Sequence, residues 1–285
     1  MFQLERATEY AGAHGPHALL AMRDSDVLFE EYASGWDSQR VHALYSGTKS
    51  FWSIAAAAAA EDGLLDLDEP VARSIPSWNE GAKARVRIED LLGLISGLPF
   101  GGLGAGVPTF EDAIAKPLAH EARTTFTYSG IPLQVFGGVL SKKLASQALT
   151  PLEYLKARIV DPIGLRIGSW RKLKDGTETM PTGAFLAARE WAKFGQLLVQ
   201  RGIWEGTRII EESSITACWR PGTVNPRYGL GFWLYQPGET DFVAYSSGAG
   251  GQGLYIIPSQ GVVVVHFGQS KSYNHERFLR RLLPT

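Results

Sequence analysis

The spacing of apolar and polar positions changes character twice along the chain. Near the start, a short amphipathic run over residues 2–12 predicts a helix. HALLAMR (17–23) and VLFEEYAS (27–34) then predict two strands joined by a turn at Asp24, Ser25 and Asp26. Near the end, YGLGFWLY (228–235), DFVAYS (241–246), GLYIIP (253–258) and VVVVHFG (262–268) are β-branched and aromatic runs divided by Gly, Pro and Ser. NHERFLRRLL (274–283) closes the chain with apolar residues at helical spacing.

In the middle the period lengthens. Helical patterns cover the alanine-rich run after Lys49, RIEDLLGLI (87–95), PLQVFGGVLSKKLA (132–145), TPLEYLKARIV (150–160) and AREWAKFGQLLVQRG (188–202). Thr150-Pro151 opens one helix and Gly202 closes another, the usual start and stop chemistry. Strands at both ends with helices between them predict that the ends meet in one sheet. The expected fold class is α+β: an antiparallel sheet of about five strands, flanked by terminal helices, plus a central all-helical lobe. On this division residues 1–45 and 216–285 form the sheet lobe and 46–215 the mainly helical lobe, as one two-lobed unit with a site in the cleft.

Composition narrows the partners. The net charge is −1 and the Lys and Arg residues are scattered, so no basic face tracks a phosphate backbone or an anionic membrane. A small-molecule substrate is the expected partner, with neither nucleic acid nor membrane. The one cysteine, Cys218, excludes an internal disulfide and reads as a buried thiol; no Cys/His cluster has the spacing of a metal site. The opening MFQLERATEYAGAHG is mixed in polarity and does not resemble an export signal, which predicts a cytoplasmic protein.

One pair carries chemistry. Ser46 and Lys49 stand three residues apart ahead of six alanines, Ala55 to Ala60, a spacing that brings amine and hydroxyl to one side of a helix. A serine hydroxyl needs an adjacent base to attack, and a lysine becomes one when burial depresses its pKa. Small alanines let neighbouring helices crowd close and make that burial feasible. Ser169 and Lys172 repeat the spacing, but no apolar helix follows, and they read as a solvated loop. GAGGQG (248–253) matches a dinucleotide fingerprint, yet a strand follows it where a helix is required, so no cofactor is expected. Gly-x-Ser-x-Gly does not occur, and the six histidines show no triad or metal pairing.

YSGTKSFWSIAAAAAAEDGLLDLDEPVARSIPSW and VRIEDLLGLISGLPFG, followed by FTYSGIPLQVFGGVL, PTGAFLAAREWAKFGQLLVQRGIWEGTRIIEESSI and SSGAGGQGLYIIPSQGVVVVHFG, resemble the serine β-lactamase-like, penicillin-binding-protein-like superfamily. The match is to its class C β-lactamase and esterase branch and runs in order over most of the chain. The resemblance implies that Ser46 attacks a carbonyl while Lys49 and Tyr128 relay protons, Tyr128 as general base and then as acid toward the leaving group. It implies an oxyanion hole from the backbone N–H groups of Ser46 and Ala249, and substrate contacts at Ser247, Gly248, Ala249 and Gly130. Whether the resting pair is ammonium and phenolate, or amine and phenol, stays open.

Two positions depart from the branch. Gly130 stands where the Tyr-x-Asn motif carries its amide, and Ser246 where the strand motif carries its cation. Both losses fall on recognition of acylamino and carboxylate groups. The expected activity is a serine esterase or amidase acting on a small acyl compound through an acyl-enzyme on Ser46. Aromatic residues near the motifs, Phe100, Trp170 and Trp233, are candidate pocket walls. A true β-lactamase or penicillin-binding D-alanyl peptidase, and a catalytically silent binding module on the same fold, are the alternatives.

Overall fold

A computed structural model describes residues 3–238 and 242–283. Phe2 of the expected first helix and Asp241 of the expected strand 241–246 lie outside the described residues. Six strands form the main sheet: β1 (Pro16–Arg23), β2 (Asp26–Tyr32), β3 (Trp233–Tyr235), β4 (Val243–Gly248), β5 (Gln252–Ile257) and β6 (Val262–Gly268). Their order is β2-β1-β6-β5-β4-β3 and every pairing is antiparallel. The two chain ends thus join where β1 pairs β6, with Ala21 opposite Val264. The sheet has one strand more than expected, and of the run 228–235 only the last three residues pair in it.

Both faces of the sheet are covered, which is why VVVV in β6 is buried at every position rather than alternating. On the outer face, helices α1 (Leu4–Gly12) and, at the C-terminus, α5 (His275–Leu282) set Ala7, Tyr10, Phe278 and Leu282 against Leu19, Tyr255 and Val264. On the inner face lies α4 (Ala188–Val199), and it lies close: a Cβ on its Gly195 would stand 2.6 Å from Val263. Helix α2 (Lys49–Glu61) is buried from Lys49 through Ala59. Helix α3 (Ile131–Leu144) packs in the same core cluster. Thr150 caps the helix Pro151–Leu155 with the expected side-chain bonds. The central stretch, expected to be all-helical, also carries short strands: Ala184–Leu186 pairs with both Ser169–Trp170 and His42–Ala43. They join the backbone just before Ser46 to the segment after Pro181. Among the described residues no helix is long and apolar enough to cross a membrane.

Beneath this region runs an aromatic stack in which His42 lies between Trp36 and Phe267, at 4.2 and 4.1 Å. Burial, followed by nearby His17 and Arg40, pushes its pKa down to about 3, and burial pushes that of His266 down to about 4. Both folded values lie below the unfolded value of about 6.5. The stability each neutral ring contributes is therefore present above that pH and lost as pH falls toward the folded values. The melting temperature should hold between pH 8 and 7 and fall progressively from pH 6.5 to 4.5. A melting temperature unchanged over that lower range, by calorimetry, would contradict the burial of these rings.

Candidate active site

Ser46 enters the site on unusual backbone. Tyr45 before it has φ +47°, a left-handed conformation that costs a bulky residue on the order of 1–3 kcal/mol. A 3₁₀ turn, Tyr45–Thr48, then leads into α2, so Ser46 stands half-buried just ahead of the helix. Gly47 lets this turn lie flat on the core, because a Cβ there would come within 2.8 Å of the Trp191 ring.

Lys49, the first residue of α2, is 1% exposed. Its Nζ donates to Ser46 Oγ at 2.9 Å and to the Pro181 carbonyl at 3.5 Å. Burial, with no carboxylate beside it among the described residues, pulls its pKa down to about 7. The Tyr128 ring face, 4.8 Å from Nζ, favours the cation but does not restore the lost hydration. Pro181 is held by its neighbour Met180, whose carbonyl accepts from Trp52 Nε1 at 2.7 Å and whose N–H donates to Gln134 Oε1 at 2.7 Å.

Tyr128 is remote in sequence and arrives at the same point. Burial pushes its pKa up, while hydrogen bonds with the Ser46 and Trp233 side chains work against that rise. Its ring centre lies 5.4 Å from that of Trp233. The following residues are clamped: Ser129 Oγ reaches the carbonyls of Pro99 and Gly101, and Gly130 N–H donates to Gly101 at 2.8 Å. A Cβ on Gly130 would fall 1.8 Å from the Gly102 carbonyl oxygen. The residue departs from the Tyr-x-Asn pattern because the loop at 101–102 occupies the space a side chain needs.

Strand β4 lies against the Tyr45–Thr48 turn. Gly248 permits this, since its Cβ would stand 2.1 Å from the Leu44 carbonyl oxygen. Ala249 begins the turn to β5, and its carbonyl is tied to Gln252 Nε2 at 3.1 Å. Neither its N–H nor that of Ser46 has a backbone acceptor among the described residues, so both expected oxyanion donors are unspent. Ser246 faces the other way, with Oγ 2.6 Å from Ser50 Oγ beneath α2. Ser247 directs its hydroxyl to His275 Nε2 at 2.9 Å rather than to Ser46.

The fold therefore gathers Ser46, Lys49 and Tyr128, and packs Gly248 and Ala249 beside them. Gly130 serves close packing. Of the candidate pocket walls, Trp233 meets Tyr128, Phe100 is 76% exposed, and Trp170 packs edge-on against Trp52 in the core. Sequence reading missed Gln252 and His266, which fix the turn after β4: Gln252 also bonds Gly268, and His266 Nδ1 lies 2.6 Å from the Gly251 carbonyl. A buried Gln within a glycine-rich hairpin was the available signal. In the second Ser-x-x-Lys, Ser169 is exposed and Lys172 pairs with Glu178 at 3.4 Å. Among the described residues, no group of three or more His, Cys, Asp and Glu is placed to hold a metal ion.

Sheet, covering helices and helix-borne serine turn define a β-lactamase/transpeptidase-like fold, and solved structures agree. A family VIII carboxylesterase superposes with TM-score 0.79 at 16% identity, over 98% of this chain and 96% of that one. A D-stereospecific amidohydrolase from Streptomyces sp. gives TM-score 0.77 at 16% identity, over 99% and 98%. The chain belongs to the beta-lactamase family, whose model matches residues 11–283. In sequence it is 22% identical to the 6-aminohexanoate-dimer hydrolase of Paenarthrobacter ureafaciens, over 87% of this chain and 71% of that protein.

Gly248→Ala should displace β4 from the Tyr45–Thr48 turn. Because misplacement by about 1 Å can cost a site about 10²-fold, acylation of Ser46 by a fluorophosphonate should slow at least tenfold in the folded variant. An unchanged rate would show that the contact with Leu44 does not set the site.

Proposed function

We propose that the protein is a serine hydrolase that cleaves a small, uncharged acyl ester or amide through a covalent acyl-enzyme on Ser46. The observation that carries this is the buried Lys49 amine, 2.9 Å from the Ser46 hydroxyl and poised near neutrality. The related amidohydrolase and carboxylesterase support a family that handles both bond types.

Burial moves Lys49 and Tyr128 in opposite directions on the pH scale, and both shifts favour the neutral forms. On this reading the resting pair is amine and phenol. Ser46 Oγ attacks the carbonyl carbon and its proton passes to Lys49 Nζ. The carbonyl π electrons move to oxygen, where the N–H groups of Ser46 and Ala249 receive the charge. As the tetrahedral adduct collapses, the bond to the leaving group breaks and Tyr128 gives that group a proton; Lys49 returns one to the phenolate. Water then attacks the acyl carbon and gives its proton to Lys49; the bond to Ser46 Oγ breaks, Lys49 returns the proton to that oxygen, and the acid product leaves. The absence of a side chain at Gly130 and of a cation at Ser246 favours substrates without acylamino or carboxylate handles over β-lactams and D-alanyl peptides.

Intact-mass analysis after incubation with a fluorophosphonate should find one adduct, absent in Ser46→Ala. Lys49→Ala and Tyr128→Phe should each slow acylation by about 10²-fold or more. No adduct on the wild type would support the silent binding module, and turnover of nitrocefin would support a β-lactamase.

The pH profile follows from Lys49. Its amine is the active form, so kcat/KM for a p-nitrophenyl ester should rise with pH through an apparent pKa near 7 and level off by pH 9. A profile already flat from pH 6 would exclude Lys49 as the titrating base.

A further inference from the structure

A neutral lysine carries two hydrogens and one lone pair on a nitrogen free to rotate about its bond to Cε. For the Ser46 proton to pass to Lys49 Nζ across 2.9 Å, the lone pair has to face Oγ, and both amine hydrogens need other places. The Pro181 carbonyl, 3.5 Å from Nζ, accepts and cannot donate. It draws one hydrogen to its own side and so turns the lone pair toward the serine. The remaining groups at Nζ are the Ser46 hydroxyl and the Tyr128 ring, with no carboxylate beside it among the described residues.

That carbonyl is held from a distance. The Pro181 ring locks φ, which leaves ψ and the preceding peptide to set where the oxygen points. The preceding peptide is pinned by Trp52, one turn beyond Lys49 on α2, whose Nε1 donates to the Met180 carbonyl at 2.7 Å. On the other side of Met180, its N–H donates to Gln134 Oε1 at 2.7 Å, and Gln134 Nε2 donates to the Pro108 carbonyl at 2.7 Å. Downstream, Ala184 N–H donates to Thr48 Oγ1 at 3.2 Å and the Ala184 carbonyl accepts from Leu44 N–H at 2.9 Å. The segment is thus fastened at both ends. Gln134, on α3, is 0% exposed. An apolar side chain of that size would fill the space without losing hydration, so the buried amide is explained by the two backbone segments it grips.

We infer that Gln134 is a positioning residue for the proton transfer: together with Trp52 it fixes the Met180–Pro181 backbone, whose carbonyl orients the Lys49 amine toward Ser46. The inference rests on the hydrolase reading for the use Lys49 makes of that orientation; the hold on Lys49 stands without it. An ammonium gains more from a fixed carbonyl than an amine does, so releasing the carbonyl disfavours the charged form. The Lys49 pKa, already pulled down to about 7 by burial, should then fall further. A variant that only loosens the core and admits water should raise it instead.

Proton–carbon spectra of the full chain labelled at lysine Cε, with the Lys49 signal assigned by its loss in Lys49→Ala, follow this titration directly. Gln134→Met keeps the volume and loses both bonds; it should enlarge the acid dissociation constant of Lys49 about 3-fold or more, the scale of one hydrogen bond. Trp52→Phe should act in the same direction, and Leu140→Ala, a cavity on the same helix as Gln134, should not. At about pH 9, where Lys49 is amine throughout, the maximal rate of fluorophosphonate labelling should fall about 3-fold or more in Gln134→Met and Trp52→Phe, with the half-saturating concentration changing less. A Lys49 midpoint unchanged or raised in Gln134→Met, or lowered as much by Leu140→Ala, would overturn the inference. A wild type that is never labelled would overturn the hydrolase reading instead, and the titration still decides whether Gln134 holds Lys49. If Gln134→Met does not fold, Trp52→Phe decides by the same criterion, and failing that Pro181→Ala, which frees the locked torsion.

Discussion

A lysine with no counter-ion among the described residues, buried one turn from a serine, is the constraint around which the rest of the molecule is arranged. Removing an ammonium from water is unfavourable, and a protein that buries one without a carboxylate shifts it toward the amine. Lys49 is in that position. Its neighbours are a serine hydroxyl, a backbone carbonyl and the face of a phenol ring, which can orient a nitrogen without supplying a full negative charge. An aspartate in place of the serine or the phenol would hold the ammonium.

Maintaining that dry environment explains features that otherwise look unrelated. The alanines of α2 allow close helix packing around the amine's own helix. Gly47, Gly130 and Gly248 each mark a place where a Cβ would collide with the neighbouring segment, so three parts of the site close on one another with no side chain between them. The strained turn at Tyr45 lifts the hydroxyl out of the helix toward Tyr128. Gln252 and His266 hold the far wall, the turn at Ala249. At Gly130 close backbone approach leaves no room for a side chain, and Ser246 is spent on a hydrogen bond to Ser50.

The sheet contributes from both faces. Its inner side presses on the core that carries α2 and α4, and its outer side buries Tyr255 against the terminal helices, with Tyr273 half-buried beside it. β4 is where these layers meet the turn that carries Ser46, because neighbouring residues of a strand point to opposite faces. Ser246 reaches into the core toward Ser50, while Ser247 reaches His275. A single strand thereby couples the terminal helix to the edge of the cleft.

By itself the sequence determined the order of elements, the pairing of the two chain ends, the alanine helix and the Ser46–Lys49 pair. Each is written in local periodicity or in spacing within one turn, and the wider run of motifs pointed to the family and to Tyr128. The short strands near Ser169 and Ala184 escaped it, because two- and three-residue strands carry too few positions to show a period. Only the tertiary structure decided that Lys49 is dry, that Gly130 is excluded from bearing a side chain, and that Ser247 turns toward His275. Those properties belong to segments distant in sequence, since desolvation, steric exclusion and hydrogen-bond direction depend on what the fold brings alongside a residue.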